Sequence, residues 1–316
     1  MSRDKIVLLL WLNFFGISFG RTDEIFLRHS TTRYDLIEVS MAIWSGFLPR
    51  LMECSSKCSQ EPNCLSLVYD KFYASCHLFN VIYESDDNGD INYWVLETRS
   101  TRWGPKSCTD ISKCSGITRD GEFWIYPPAA NGKRTKIYCH NMSTEPSHFV
   151  TLKNNNSFII HDETNFLFAY VLNNKCKSSF NPPLKMVEFS KVKVQIEDML
   201  INRTDLTFTT TTGSYKFAYG GTADCNGEDI INTCHHFGKA IINTRGTGLI
   251  VDPTLAFGAT GFRAKTYGLL RSVDGAEISY GCAGFCGYCG PSRSVRLEHT
   301  REFISVAEAK AIVCQY

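Results

Sequence analysis

The sequence has one long apolar run, Ile6–Phe15, and no second one. No later stretch reaches the roughly 20 residues that a membrane-spanning helix needs, and the last residues, AEAKAIVCQY, lack the hydrophobic tail of a lipid-anchor signal. Neither sign of charge dominates: 33 basic and 32 acidic residues are interspersed for a net charge of +1, so electrostatics gives no argument for nucleic acid as a partner. Low-complexity segments and internal repeats are absent. None of the eight histidines is followed by glutamate, so the two-histidine and glutamate motif of zinc proteases is missing. The nearest pair, His235 and His236, is adjacent and would point to opposite faces of a strand. No Gly-x-Ser-x-Gly nucleophile setting occurs either. These absences leave no catalytic residue to nominate.

Cysteine is abundant. All fourteen cysteines follow the apolar run, and an even count behind a secretory leader reads as a disulfide framework in an oxidising compartment. Residues 1–20 fit a cleaved signal peptide. Arg3 and Lys5 precede the apolar run, and Ser18 and Gly20 supply small residues at −3 and −1. The expectation is a secreted, extracellular protein. Its hydrophobic fraction of 43% excludes a disordered tail. Three sequons, at Asn141, Asn155 and Asn202, are candidate glycosylation sites.

Residues 21–99 make a first unit. Cys54 and Cys58 are one helical turn apart and share a face, and Pro62 and Asn63 stop that helix. Cys64–Tyr69, Cys76–Phe79 and Tyr93–Leu96 read as strands. The C-x3-C-x5-C spacing, the strand with Tyr69 and the Cys76-His77-Leu78 strand resemble the PAN/apple family, whose helix lies against a small antiparallel sheet. That resemblance implies nested bridges, Cys54–Cys76 outside and Cys58–Cys64 inside, and an adhesion, carbohydrate-recognition or protease-docking role.

Residues 100–107 read as a linker broken at Gly104-Pro105, and a larger β-rich unit follows over 108–316. Strands are expected within 120–128, 136–139, 149–152, 206–209 and 238–242. In KVKVQIEDML (191–200) Val192, Val194 and Ile196 alternate with polar residues, the pattern of a half-buried strand. Helical signal is thin apart from Val306–Ala311. The fold class expected is therefore mainly β with one short N-terminal helix, in a disulfide-rich two-domain protein.

Several ordered landmarks carry a second resemblance: DGEF…KIYCHNM (120–142), Phe149-Val150-Thr151-Leu152 with Asn165-Phe166, and Thr204–Phe208. Ala223-Asp224-Cys225 with Cys234, Arg245–Leu249 and GCAGFCGYCGP (281–291) complete it. Together they resemble the GON domain, the C-terminal module of certain ADAMTS metalloproteases. The family context implies matrix remodelling, cell migration and cargo transport, and a protease and zinc association that this sequence does not itself carry. GEFWIYPP…KIYCHNMST is also locally similar to the opening of fibrinogen-related domains, which implies a Cys108–Cys139 bridge. Cys114, Cys176, Cys225, Cys234, Cys282, Cys286, Cys289 and Cys314 remain disulfide candidates without assigned partners.

Other motifs have bland readings beside sharper ones. Cys282, Cys286 and Cys289 spell C-x3-C-x2-C, a spacing that also suits an iron–sulfur cluster or, with His235 or His236, zinc. Metal binding requires reduced thiols, so disulfide-knotted glycine turns are the preferred reading and no metal or cofactor is expected. At least one bond from this loop to Cys314, Cys176, Cys225 or Cys234 is anticipated, leaving Phe285 and Tyr288 on exposed edges as candidate binding residues. Gly246-Thr247-Gly248 is read as a turn rather than a phosphate loop, and Asp86–Asp90 as an acidic turn rather than a calcium site. Lys185, Lys191, Lys193 and Arg203 make either a solvated face or a sulfated-glycan surface.

The reading is a non-enzymatic extracellular binding or adhesion protein whose partner is a glycan, a matrix protein or a secreted protein. One alternative is a zinc-binding accessory of the metalloprotease family, and a second is a fibrinogen-like lectin. The leader generates the first prediction: the mature protein begins near Arg21, and N-terminal sequencing of the exported product checks it. Recovery of Met1 would make the apolar run an uncleaved anchor.

Overall fold

A computed structural model describes residues 27–32, 37–83, 91–96, 102–160, 185–213, 216–224, 238–300, 302 and 304–315. The leader, the Asp86–Asp90 turn, the Asn165-Phe166 landmark, Cys176, Cys225, Cys234, His235 and His236 lie outside these, as do the side chains of Phe285 and Cys286. The protein is mainly β and divides into two compact units. One holds the chain through Ser147 together with Ser305–Tyr316, and the other holds His148–Ile304. The division does not fall at 100–107.

The first unit opens with a five-stranded antiparallel sheet. Its strands are β1 (Leu27–Thr32), β2 (Trp44–Phe47), β3 (Ser66–Asp70), β4 (Ser75–Phe79) and β5 (Ile91–Leu96), in the order β1-β5-β3-β4-β2. Helix α1 (Leu51–Gln60) turns Cys54 and Cys58, both fully buried, onto this sheet. The core there is largely cystine: Cys54, Cys58, Cys64 and Cys76 surround Leu67 and Leu78. The bridges are Cys54–Cys76 and Cys58–Cys64. The two cross-links add to this small core by restricting the unfolded chain, at about 2–4 kcal/mol each.

After β6 (Arg102–Trp103) comes α2 (Cys108–Ser115), a second helix that the sequence reading missed. Ser107 caps it by accepting from Asp110 N at 3.0 Å, and Gly116 closes it in the left-handed conformation. Conversely, the helix expected over Val306–Ala311 is only a 3-10 turn, Val306–Glu308, after which the chain is extended. Cys108, at the start of α2, is bonded to Cys139 on β8 (Thr135–His140), which pairs with β7 (Gly121–Ile125).

Residues 305–315 run back through this same unit. Glu38 accepts from Ser305 Oγ at 2.7 Å and from Val306 N at 2.6 Å. Trp124 Nε1 donates to Val306 O at 2.9 Å, Lys136 pairs with Glu308 at 2.6 Å, and Lys310 bridges to the β7 backbone. The strand Cys314–Gln315 pairs with β6, and Cys314 is bonded to Cys114. Of the four partners anticipated for the 282–289 loop, Cys314 is corrected, since the closing strand lies beside α2, and Cys176, Cys225 and Cys234 lie outside the described residues.

Residues 37–83 are joined to the 102–147 stretch in this unit by a stack of rings. The Arg134 guanidinium lies 5.2 Å from the Tyr83 ring centroid and 4.4 Å from that of Trp124. Tyr126 Oη accepts from Ile82 N at 2.8 Å. Burial pushes the hydroxyls of Tyr83 and Tyr126 up to about 12, so both stay neutral donors and acceptors throughout the physiological range.

The second unit contains β9 (Ser147–Thr151), β10 (Ser157–Ile160), β11 (Lys185–Phe189), β12 (Lys191–Gln195), β13 (Leu200–Ile201) and β14 (Thr209–Thr212). It continues with β15 (Thr222–Asp224), β16 (Gly238–Asn243), β17 (Leu249–Val251), β18 (Phe257–Arg271), β19 (Glu277–Pro291) and β20 (Leu297–His299). A seven-stranded sheet runs β14-β11-β10-β15-β19-β16 with β18 on β19. The alternation over 191–200 is kept, with Val192, Val194 and Ile196 buried, but a turn interrupts it between β12 and β13. The strand expected at 206–209 begins only at Thr209.

Tyr219 anchors the core of this unit. It is fully buried, edge-on to Phe158 and Phe189, and donates its hydroxyl to Asn156 Oδ1 at 2.8 Å. Asn156 also accepts from Asn243 N and donates to the carbonyls of Asn243 and Asn154. A buried amide satisfied on both ends in this way fixes the register of β10 against β16.

GCAGFCGYCGP falls within β19, yet the strand is not straight there: Cys282 and Cys289 have Cα atoms only 5.6 Å apart, so the chain doubles back between them, as the knotted-glycine reading expected. A disulfide between these two cysteines closes the base of the resulting loop. Register shifts between β18 and β19 accommodate the bond. Gly284 has φ +144°, and a Cβ there would lie 2.7 Å from Ala264 Cα on β18, so only glycine allows the two strands to approach so closely.

The Cys114–Cys314 bond closes a loop of 200 residues. A Cys114→Ser, Cys314→Ser double variant is expected to lose about 2–5 kcal/mol, seen as a lower thermal midpoint with the chain otherwise folded. An unchanged melt would show that the non-covalent contacts of residues 305–310 suffice.

Candidate functional site

The groups nominated from sequence as an exposed site are mostly engaged inside the fold. Tyr288 on β19 is half-buried, and its hydroxyl accepts from Arg203 Nη2 at 2.9 Å while Arg203 Nε donates to Tyr219 O at 2.7 Å. Tyr288 thus supports the second unit's core instead of standing on a free edge. Arg203 is likewise removed from any cationic surface. Lys193 pairs with Asp205 at 3.2 Å and lies over the Phe149 ring, and Lys191 lies over Phe208. Burial works against the Asp205 charge, but Thr207 and Lys193 together hold its carboxyl below the usual range. The basic run therefore covers an aromatic pair, Phe149 and Phe208, whose centroids are 4.9 Å apart. It is no open sulfate-binding face.

Gly246-Thr247-Gly248 forms the turn between β16 and β17. Both glycines have positive φ, and their amides converge on one carboxylate: Glu302 accepts from Gly246 N at 2.8 Å and from Gly248 N at 3.2 Å. Thr247 Oγ1 donates to Thr244 O and accepts from Leu249 N. The backbone thus makes an anion-binding concavity filled by the protein's own glutamate.

No group of three or more His, Cys, Asp or Glu stands ready to hold a metal ion among the described residues. Every described cysteine is disulfide-bonded. In the first unit His140 Nδ1 lies 2.7 Å from Asp120 Oδ2. Burial opposes the Asp120 charge, yet the amides of Met142 and Asn141 and the His140 ring hold its carboxyl below the usual range. The pair orders the loop after β8, through Asp120 Oδ1 accepting from Met142 N at 3.0 Å. The three sequon asparagines, Asn141, Asn155 and Asn202, are all exposed.

The surface that sequence reasoning missed is aromatic. Phe47 at the end of β2 is 73% exposed, and Phe72 and Tyr73 in the β3–β4 turn are 86% and 70% exposed. Asp70 Oδ1 accepts from Phe72 N and Tyr73 N, which fixes the turn, and the two rings meet edge-on at 4.9 Å. Phe47 pairs in register with Ser75, and Leu48 N donates to Ala74 O, so all three aromatics share one end of the sheet. Met52, in the first turn of α1, is also half-exposed. The signal was present in the sequence, since Lys71-Phe72-Tyr73 lies in a tight turn between two strands where aromatic rings cannot reach the core.

The architecture defines a disulfide-bonded, mainly β protein that presents rigid loops. The GON domain profile matches residues 105–300, more than half of the sequence, and the chain belongs to the GON-domain family. Among curated proteins it is similar to "A disintegrin and metalloproteinase with thrombospondin motifs 20" of Mus musculus, 28% identical over 207 residues, which covers 60% of this chain and 10% of that protein. It is also similar to "A disintegrin and metalloproteinase with thrombospondin motifs gon-1" of Caenorhabditis elegans, 23% identical over 198 residues, or 60% of this chain and 9% of that protein. The matched stretch thus spans about a tenth of these relatives. It corresponds to a non-catalytic module, and the protease motif does not occur in this sequence. No solved structure matches.

The filled concavity yields a prediction. Glu302→Ala is expected to cost about 1 kcal/mol, the usual worth of an exposed hydrogen-bonded group, and to speed amide exchange at Gly246 and Gly248 about fivefold. Unchanged exchange at both would mean that the turn holds itself without the carboxylate.

Proposed function

We propose that this chain is a secreted, non-enzymatic extracellular binding protein. A signal peptide (1–20) precedes a PAN/apple-like module (21–99), a linker (100–107) and a GON domain (108–316). The PAN/apple-like reading is supported by a helix pinned to a small antiparallel sheet through nested cystines. Secretion is supported by the disulfides and by membership of the GON-domain family.

The observation that carries the binding role is the exposed trio Phe47, Phe72 and Tyr73 on a cystine-locked sheet. Rigid aromatic groups lose little conformational entropy when a partner covers them, and they dominate contact energies where they are used. A glycan ring, a matrix protein or another secreted protein would each meet such a surface through stacking and apolar contact. Lys71 adds a cation directly before Phe72 in the turn.

A Phe72→Ala, Tyr73→Ala double variant tests the reading against a glycan array and a panel of matrix proteins. Wild type is expected to bind at least one of these, and the variant to bind it at least about tenfold more weakly with an unchanged melting midpoint. Equal binding by the two proteins would remove the aromatic end from the function.

A further inference from the structure

Residues 206–213, Leu-Thr-Phe-Thr-Thr-Thr-Thr-Gly, contain no charge and no proline. Within them β14 (Thr209–Thr212) is an edge strand: it ends the order of the seven-stranded sheet and pairs only with β11 among the described residues. Edge strands expose unpaired backbone groups, and proteins protect them with charged side chains, proline or bulges. Here none of these is present, the register with β11 is regular from Thr209 to Thr212, and threonine favours the extended state. A run of this kind left bare is a template for pairing with another chain.

What the strand does carry is hydroxyls. Thr209 Oγ1 is occupied, donating to Leu206 O at 2.8 Å. Thr210, Thr211 and Thr212 are exposed, and no hydrogen bond of their hydroxyls is found among the described residues. Three consecutive reactive oxygens therefore stand on the outermost strand of a rigid sheet. Lys185 and Glu188, on β11, are the nearest charges by register, since Met186 faces Thr212 and Glu188 faces Thr210.

We propose that Thr210–Thr212 are O-glycosylated, and that the sugars are what protects this edge. The inference rests on the reading of the chain as a secreted protein. In the modification a threonine Oγ attacks the anomeric carbon of a nucleotide-activated N-acetylhexosamine, held by a glycosyltransferase of the secretory pathway. The new C–O bond forms as the bond to the nucleoside diphosphate breaks. The diphosphate leaves with the electron pair, the hydroxyl proton passes to solvent or to the transferase, and nothing is oxidised or reduced. An exposed edge strand suits such a transferase because its hydroxyls are reachable after the sheet has formed. A hydrated sugar then blocks edge-to-edge pairing by bulk, as a charge would by repulsion.

The test places the chain behind a heterologous cleaved leader in cultured animal cells, so that it enters the pathway whether or not its own residues 1–20 act as a signal. Trypsin releases Thr204–Lys216, which excludes the Asn202 sequon. Mass spectrometry with electron-transfer fragmentation is expected to find N-acetylhexosamine-bearing glycans on Thr210–Thr212 in most copies of that peptide. A Thr210→Val, Thr211→Val, Thr212→Val variant, which keeps the branched shape and loses the acceptors, is expected to lose that mass and to sediment partly as dimers or larger species. A peptide found unmodified in the exported wild-type protein overturns the proposal. If that unmodified protein also sediments as a dimer, the edge is a protein interface instead. The secretion reading is scored separately, by whether the chain with its own leader reaches the medium.

Discussion

Residues 305–315 hold the first unit together. They begin on Glu38, pass Trp124 and Lys136, bridge to the β7 backbone through Lys310 and end bonded to Cys114. Each of these contacts joins parts of the sequence that local folding would leave separate. The Lys136–Glu308 pair illustrates the dependence, since Lys136 is almost fully buried and an unpaired ammonium there would be costly. The first unit needs residues from both sides of the 148–304 stretch.

This explains what could and could not be read from the sequence. The local features were legible: Cys54 and Cys58 one turn apart, Val192 and Val194 alternating with lysines, and the strands around Cys76 and Cys139. The α2 helix was legible in principle, because Ser107 followed three residues later by Asp110 is a capping signal, but its short length kept the periodicity weak. The Cys114–Cys314 bond had no local signal at all. In 281–291 the glycine density did mark a loop tied by a cystine, but the pairing of its flanks with β18, which the glycines permit, had no local signal.

The candidate surface shows the same division. Charged residues drew attention because runs of lysine are conspicuous, yet Lys193 and Arg203 are bound to Asp205, Tyr219 and Tyr288. Among aromatic residues Phe285 and Tyr288 drew attention, and Phe47, Phe72 and Tyr73 drew none, because Phe and Tyr are assumed to be core. Burial separates them: Tyr219 is fully enclosed, while Phe72 is almost bare. Sequence supplied the residue types, and only the three-dimensional contacts assigned them to core or surface.

The 200-residue interval between Cys114 and Cys314 also sets an order of events during synthesis. Chains lengthen at roughly 5–20 residues per second, so the partner of Cys114 emerges about 10–40 s after it does. Throughout that interval the thiol of Cys114 lies six residues from Cys108, which has its own partner, Cys139, to find. The local bridges Cys54–Cys76, Cys58–Cys64 and Cys108–Cys139 join cysteines 22, 6 and 31 residues apart and need no late partner, while Cys176, Cys225, Cys234, Cys282, Cys286 and Cys289 all emerge before Cys314. Cys114 is then left waiting for Cys314. A chain cut short anywhere in the second unit lacks the native partner of Cys114, so the pairing of that one cysteine records whether synthesis reached the closing strand.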